Sequence, residues 1–252
     1  MNKKNKNVNA SILIIGNEIL SGRTQDKNIA FISNWLNLKC GISVEEVRII
    51  PDVEKTIVSN ILALSKKFNY VFTTGGIGPT HDDITALSIA KAFKVKYGFN
   101  IEAHAILEKY YGKNEFNIAR KKMAKMPAGS KLIYNPSSAA PGFKIKNVLC
   151  LPGVPSILKS MMPNLKNYLI NGPLTYSKTI SLITYESNIA NILDKLQRKY
   201  SLSIEIGSYP FFRLGRVGVS VVLRSTNKDA IKKCKIELLK IVKKIKIKIY
   251  KA

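Results

Sequence analysis

Gly75, Gly76 and Gly78 are followed closely by Asp82, Asp83 and Thr85 in the stretch T-T-G-G-I-G-P-T-H-D-D-I-T. Glycines let backbone N–H groups approach a phosphate closely, because no Cβ atom stands in the way. A helix beginning near Asp83 would aim its positive N-terminal end at the same point. Adjacent carboxylates repel a phosphate unless a divalent cation bridges the two, so the pattern predicts phosphate and metal together, with Asp82 and Asp83 as metal-ligating candidates. A tight turn with an aspartate helix cap would use the same residues.

The elements that must hold this loop alternate. Residues 10–15, A-S-I-L-I-I, form a continuous apolar run of the kind buried on both faces of a parallel sheet. The run ends at Gly16 and leads to Asn17, Glu18, Asp26 and Asn28, then to an amphipathic helix with Ile29, Ile32, Trp35, Leu36 and Leu38 apolar, stopped by Gly41. Residues 42–50 read as a second strand. Pro51-Asp52 opens a helix to about Phe68, with Ile57, Ile61, Leu62 and Leu64 inward, and residues 70–74 are the strand that runs through Thr74 into the glycine loop. After Asp83 a helix continues to about Phe93, and two more helical stretches follow near residues 100–111 and 115–123. Short strands at 132–134 and 148–151 lead into N-P-S-S-A-A-P-G-F, with Ser137 and Ser138 as hydroxyl donors, and P-G-V-P, with Gly153 open to close approach.

This order predicts an α/β domain with a three-layer, mostly parallel sheet, whose ligands bind at the carboxyl ends of the strands. The loops place Asn17, Glu18, Asp26, Gly75, Gly76, Asp82, Asp83, Thr85, Ser137 and Gly153 at one edge. No Ser-His-Asp or Cys-His set joins them, which leaves metal-assisted phosphate chemistry. Asn171-Gly172-Pro173 marks a boundary. The domains are then a flexible basic tail (1–9), the α/β domain (10–172) and a smaller α+β domain (173–252) with strands at 178–183, 203–208 and 217–223 and helices at 187–199 and 228–243. The alternation from Lys243 onward suits either a strand or a solvated helix end. G-R-V-G at 215–218 makes a hairpin turn between strands; a G-x-x-G clamp on RNA would need two helices around it. Phe211, Phe212 and Arg213 beside it suit a subunit interface or a flat ligand, and a homodimer is expected.

At 252 residues the chain can bury a sizeable core. Its net charge of +25 raises nucleic-acid binding, but only seven of the 41 basic residues are arginine and the lysines are spread over helix faces, so nucleic acid is not expected as a partner. No apolar run reaches the roughly 20 residues of a membrane span, and the polar amino end has no signal-peptide core, which predicts a cytoplasmic protein without a membrane partner. Cys40, Cys150 and Cys234 lie far apart and read as free thiols.

Five segments, G-N-E-I-L-S-G with D-K-N downstream, T-T-G-G-I-G-P-T-H-D-D-I-T, K-M-A-K-M-P-A-G-S, N-P-S-S-A-A-P-G-F and L-P-G-V-P, resemble in order the MoaB/Mog molybdopterin-binding domain. The version is that of competence/damage-inducible protein A (CinA) and of the molybdopterin-binding-like domain of eukaryotic FAD synthase. I-G-S-Y-P-F-F-R resembles the carboxyl-terminal part of bacterial stand-alone members, so the deamidase activity of longer relatives is not expected. The resemblance implies a small-molecule pterin or nucleotide ligand and, in several relatives, hydrolysis of the diphosphate of ADP-ribose or FAD with Mg, Mn or Co. Carried over, Asp82, Asp83 and Thr85 form the catalytic set, with the aspartates holding metal or orienting water, and the amides of residues 75–78 bind phosphate. Gly16, Asn17, Glu18, Asp26, Asn28, Thr74, Ser137, Ser138 and Gly153 complete the ligand's surroundings. On a helix two consecutive side chains diverge by about 100°, so one aspartate would bind metal while the other caps. Relatives carry an acidic residue two positions after the threonine, where this chain has Leu87. A rival reading is pterin binding or adenylyl transfer in molybdenum-cofactor metabolism, without hydrolysis.

Overall fold

The computed structural model describes residues 7–213 and 215–250, which divide into two compact units, the first ending at Pro173 and the second beginning at Leu174. In the first unit the chain runs β1 (Val8–Ile15), α1 (Asn17–Leu20), α2 (Asn28–Trp35), β2 (Ile42–Ile50), α3 (Glu54–Lys67), β3 (Tyr70–Thr74) and α4 (Thr85–Phe93). It continues through β4 (Tyr97–Phe99), α5 (Ile101–Tyr111), α6 (Ile118–Lys122), β5 (Lys125–Pro127), β6 (Lys131–Ile133), β7 (Gly142–Ile145), β8 (Val148–Leu151) and α7 (Pro155–Met161). Six strands form one sheet in the order β2-β1-β3-β8-β7-β6, parallel from β2 to β8 and antiparallel beyond; β4 and β5 make a separate antiparallel pair.

Side chains alternate across the pleat, and each face of the sheet has its own core. Leu13, Ile15 and Val71 pack with Ile57, Ile61, Leu64 and Ile89 of α3 and α4. Ile12, Ile14 and Phe72 pack with Ile32, Leu158 and Met161 of α2 and α7. The uninterrupted apolar run of β1 is explained by this double burial, and the three-layer, mostly parallel expectation holds.

Boundaries depart from the sequence reading where pairing overrides pattern. Val8 and Asn9 belong to β1 and not to a tail: Val8 pairs with Ile42, and Asn9 exchanges backbone-to-side-chain hydrogen bonds with Asn69 at 3.0 and 3.1 Å. Residues 1–6 of that expected tail lie outside the described residues. Leu38, counted among the apolar residues of the first helix, and Leu62, expected inward, are exposed: Leu38 stands two residues after the buried Leu36, about 200° around a helix, and Leu62 directly follows the buried Ile61, about 100° away. The strand β7 lies within what reads as a loop, because Pro141 and Gly142 mask a run of only four residues.

The second unit runs β9 (Tyr176–Ile183), α8 (Ala190–Lys199), β10 (Glu205–Arg213), β11 (Arg216–Ser225), α9 (Lys228–Lys244) and β12 (Lys248–Ile249). Its antiparallel sheet has the order β10-β11-β9-β12 and packs Ile180, Leu182, Val219 and Val221 against Leu193, Leu196, Cys234 and Leu238 of the helices. The hairpin at Gly215 forms as expected, at φ +72, but β10 extends to include Phe211, Phe212 and Arg213. Helix α9 starts at an Asn227 cap, whose side chain accepts from Asp229 N and Ala230 N, and the lysine alternation after it resolves into a helix end followed by a short strand.

The carboxyl ends of β1, β3 and β8 converge at Gly75. Its amide donates to the Leu151 carbonyl at 3.2 Å, its φ is +97, and a Cβ there would lie 2.1 Å from the Ile15 carbonyl oxygen. Gly22 shares a positive φ of +73 but has open space around it. Gly22→Ala should therefore cost only the left-handed strain, about 1–2 kcal/mol. Gly75→Ala, which adds the clash with backbone, should lower the urea unfolding free energy further; equal losses would show that the β1 end yields freely.

Candidate functional site

The glycine loop is shaped from below by Thr85. Thr85 N donates to the Gly76 carbonyl at 3.0 Å, and a Cβ on Gly76, at φ +67, would sit 2.2 Å from Thr85 Oγ1. Thr85 is fully buried as the first residue of α4, so it supports the loop without facing ligand. Asp82 and Asp83 precede the helix and do not lie on it, and Ile84 at the cap position supplies no side-chain bond. This corrects the expectation that one aspartate caps while its neighbour binds metal at helical spacing. Asp83 Oδ2 instead accepts from Thr80 N at 2.7 Å and Thr80 Oγ1 at 2.5 Å, closing a small turn. Gly78 leaves the space that Asp83 needs: a Cβ would lie 2.7 Å from Asp83 Oδ2. The amides of Gly76, Ile77 and Gly78 donate to no acceptor among the described residues, which leaves three consecutive donors on one turn, the complement that an anion nest uses.

A cleft of about 510 Å³ opens over this turn. It brings together Glu18, Gly75, Gly76, Gly78, Asp83, Ser138 and Gly153 of the expected set, from the loops after β1, β3, β6 and β8. A narrower crevice of about 60 Å³, sharing Glu18, Gly75 and Gly153, adds Asp26, Asn28 and Thr74. Within it Asp26 Oδ1 accepts from Ile29 N at 2.8 Å, holding the start of α2, and Asn28 Nδ2 donates to the Gly153 carbonyl at 2.8 Å. The remaining expected residues line neither space. Gly16 makes room for Glu18, whose Oε1 would lie 2.6 Å from a Cβ at that position. Asn17 is exposed and donates its amide to Asp52 Oδ2 at 2.9 Å. Ser137 is exposed, with its amide given to Asn135 Oδ1 at 2.9 Å. Asp82 is exposed beside the cleft, its carboxyl held below the ordinary aspartate value by hydrogen bonding from Thr80 and the backbone, with His81 and Lys122 adding. Leu87 is half-buried on α4 and lines neither space.

Three residues escape the sequence reading. Asn135 is buried and organises the N-P-S-S loop, accepting from the amides of Ser137 and Ser138 and donating to Ser138 Oγ at 2.8 Å and the Ala140 carbonyl at 2.9 Å. Its signal is the Asn-Pro pair, which favours turn initiation. Lys122 donates through Nζ to the Thr80 carbonyl and so ties α6 to the aspartate turn. Asp52, at the carboxyl end of β2, is the third. Burial pushes its carboxyl above the ordinary 3.8; the Asn17 amide opposes this, and the negative fields of Glu18, Asp82 and Asp83 add to it. The Pro-Asp pair after a parallel strand marks the position, although it reads first as a helix opening.

Asp52 thus feels three other carboxylates, yet among the described residues no three His, Cys, Asp or Glu side chains converge into a ready metal cage. A small hard cation that keeps most of its waters needs only one or two protein carboxylates. Thiol chemistry has no place here: all three cysteines are free and buried, and burial pushes the Cys150 thiol up to about 12.

Because Asp52 holds its proton more tightly in the folded chain than in the unfolded one, its effect on stability turns unfavourable as pH rises from about 3.8 through the raised value. Asp52→Asn, which keeps an acceptor for the Asn17 amide, should raise the thermal midpoint at pH 7 and leave it unchanged near pH 3. Divalent cations should stabilise the wild type more than the variant; identical midpoints at pH 7 would show that Asp52 is not strained.

Comparison with known proteins places both units. Residues 11–171 match the model of the probable molybdopterin binding domain, and residues 174–251 match that of the FAD synthase middle domain. A protein of Archaeoglobus fulgidus is 34% identical over 199 residues, 79% of this chain and 84% of the relative; one of Saccharolobus islandicus is 33% identical over 251 residues, 94% of this chain and 95% of the relative. The crystal structure of the protein CinA, of unknown function, from Thermoplasma acidophilum superposes with a TM-score of 0.61 at 33% identity, covering 65% of this chain and 99% of that one. Among the described residues no helix is long and apolar enough to cross a membrane. With its glycine turn, its N-P-S-S and P-G-V-P loops and its second unit all matched in order, the chain belongs to the molybdopterin-binding-domain family of MoaB/Mog type, in the CinA-like form followed by a FAD synthase middle domain.

Proposed function

We propose that the cleft hydrolyses the diphosphate of a nucleotide such as ADP-ribose or FAD with the help of Mg²⁺, Mn²⁺ or Co²⁺. One juxtaposition carries this reading: the free amides of Gly76, Ile77 and Gly78 lie in the same cleft as Asp83 and Glu18, with Asp52 close enough to feel their charge. Donors alone would bind phosphate and carboxylates alone would repel it; together they suit a phosphate–cation pair.

The turn amides would take the non-bridging oxygens of one phosphate, with the N-terminal end of α4 behind them. Glu18 and Asp83 would hold the cation from the protein side, and Asp83 Oδ1, which makes no bond within the described residues, is free to orient water. The cation's contribution is to polarise the phosphoryl oxygen and offset the developing charge. Attack of water on phosphorus breaks the bond to the bridging oxygen and releases AMP and a second phosphate ester. Thr85 and Lys122 act through the loop they hold.

A second reading, pterin binding without hydrolysis, is favoured by the lack of a preformed metal cage among the described residues and by the family to which the first unit belongs. The two separate in one assay. AMP release from ADP-ribose and FAD should require a divalent cation and fall at least about 100-fold in Asp83→Ala, the scale expected when a metal-positioning group is lost. Release that survives Asp83→Ala would overturn the assignment of Asp83, and no release with any of the three metals, alongside tight pterin binding, would establish the second reading.

A further inference from the structure

The sheet of the second unit has helices on one side only. Ile180, Leu182, Val219, Val221 and Leu223 face α8 and α9, and alternation along the strands turns their neighbours the other way. Register puts Tyr209, Phe211 and Arg213 of β10 on this second face, with Arg216, Gly218 and Arg224 of β11 opposite or beside them. Two rings lie there because glycine leaves room. A Cβ on Gly218 would run into the Phe211 ring, and one on Gly207 would lie 3.0 Å from the ring of Tyr209. Phe211 thereby reaches across β11, and its ring centroid is 5.6 Å from that of Tyr250. Gly218 closes the G-R-V-G segment, so the last glycine of that motif makes space for an aromatic ring on a sheet.

The lysines, spread over helix faces, point to no nucleic acid, but the fold gathers the arginines. Three of the chain's seven lie on this one face. The Arg213 guanidinium is 5.4 Å from the Phe211 ring centroid and that of Arg224 is 5.9 Å from the Tyr209 centroid, and Arg224 also donates to the Tyr209 hydroxyl at 3.2 Å. Glu205, the only carboxylate in the four strands, pairs with Arg224 at 3.4 Å, and Arg213 and Arg216 make no ion pair among the described residues. Seventeen basic residues against five acidic ones in 174–252 give the whole unit a positive field. A single strand of nucleic acid matches both features, since its bases offer flat faces to the rings and its phosphates offer charge to the guanidinium groups. A duplex hides its base faces, and an apolar partner would bury the two arginines unpaired. The Ser181 and Ser220 hydroxyls, 3.1 Å apart on the same face, and the exposed Thr179 provide partners for a 2′-hydroxyl, which favours RNA over DNA.

We propose that this helix-free sheet face binds single-stranded RNA, with bases stacked on Tyr209 and Phe211 and phosphates held by Arg213 and Arg216. Stacking and phosphate pairing read no base edge, so the binding tolerates sequence. None of these residues lines the cleft of the first unit, so the proposal stands or falls apart from the hydrolysis proposed there.

The test is fluorescence anisotropy of the full chain with a labelled decauridylate, the matching deoxyuridine decamer and an RNA duplex of the same length, at physiological ionic strength. The single-stranded RNA should bind most tightly. Tyr209→Ala should weaken it about tenfold, the value of one lost base stack, while Tyr209→Phe, which keeps the ring, should not. Arg213→Gln combined with Arg216→Gln should weaken it and lower the salt dependence by about two counterions. Lys232→Gln combined with Lys233→Gln removes the same charge from exposed positions on α9, behind the sheet, and should leave the affinity nearly unchanged. Tyr209 and the two arginines are exposed, so replacing them leaves the core intact. An equal loss in the two double variants would make the binding a property of diffuse charge and overturn the proposal. It is overturned as well by no binding, or by equal affinity for the DNA or the duplex.

Discussion

Everything at the candidate site depends on one close approach. The loops after β1, β3 and β8 share a cleft because Gly75 has no side chain: its backbone lies against the Ile15 carbonyl, is hydrogen-bonded to Leu151, and leaves 3.4 Å between its Cα and a Cβ built on Gly153. A larger residue would separate β1 from β3 at their carboxyl ends, where the parallel sheet gathers its ligand groups. From this point the rest follows outward. Gly76 rests on Thr85, Gly78 yields space to Asp83, and Gly16 yields space to Glu18. Four glycines thereby serve as sockets for a carbonyl, a hydroxyl and two carboxylates.

The site that results is built on opposed polarities. Unbonded amides at the turn favour an anion, while Glu18, Asp52, Asp82 and Asp83 favour a cation. Burial makes the conflict costly at Asp52, whose proton is held above the ordinary aspartate range by desolvation first and by its acidic neighbours after it. Such a site is electrostatically incomplete in the protein alone. A phosphate–cation pair would satisfy both halves at once, whereas either ion separately would satisfy one and aggravate the other. Around the chain's many lysines this is a local inversion of charge, and Lys122, which reaches it from α6, donates to a carbonyl of the turn while its field helps to hold Asp82 ionised.

Much of this was legible in the residues. The apolar runs at β1 and β3, the glycines after them and the N-P-S-S and P-G-V-P segments locate the strand ends. Asp26 and Asn28 fall beside the cleft as their spacing after β1 suggests. What escaped is of a different kind. Asn135 reads as a turn residue and proves to be the buried organiser of its loop. Asp52 reads as the opening of α3 and proves to lie in the acidic field of the cleft. Asp82 and Asp83 read as equivalent neighbours, and the Thr80 turn makes them unequal by drawing Asp83 under Gly78 and leaving Asp82 in solvent.

The sequence by itself determined the alternation of strand and helix, the two faces each strand must bury and the places where glycine alone permits the backbone to turn, because these are properties of a few consecutive residues. Only the tertiary structure decided which groups meet. Asn17 reaches Asp52 across 35 positions, Lys122 reaches Thr80 across 42, and Asn28 reaches Gly153 across 125. The physical reason is that hydrogen bonding and desolvation act over a few ångströms in space, and strand order places residues at that distance without regard to their separation along the chain.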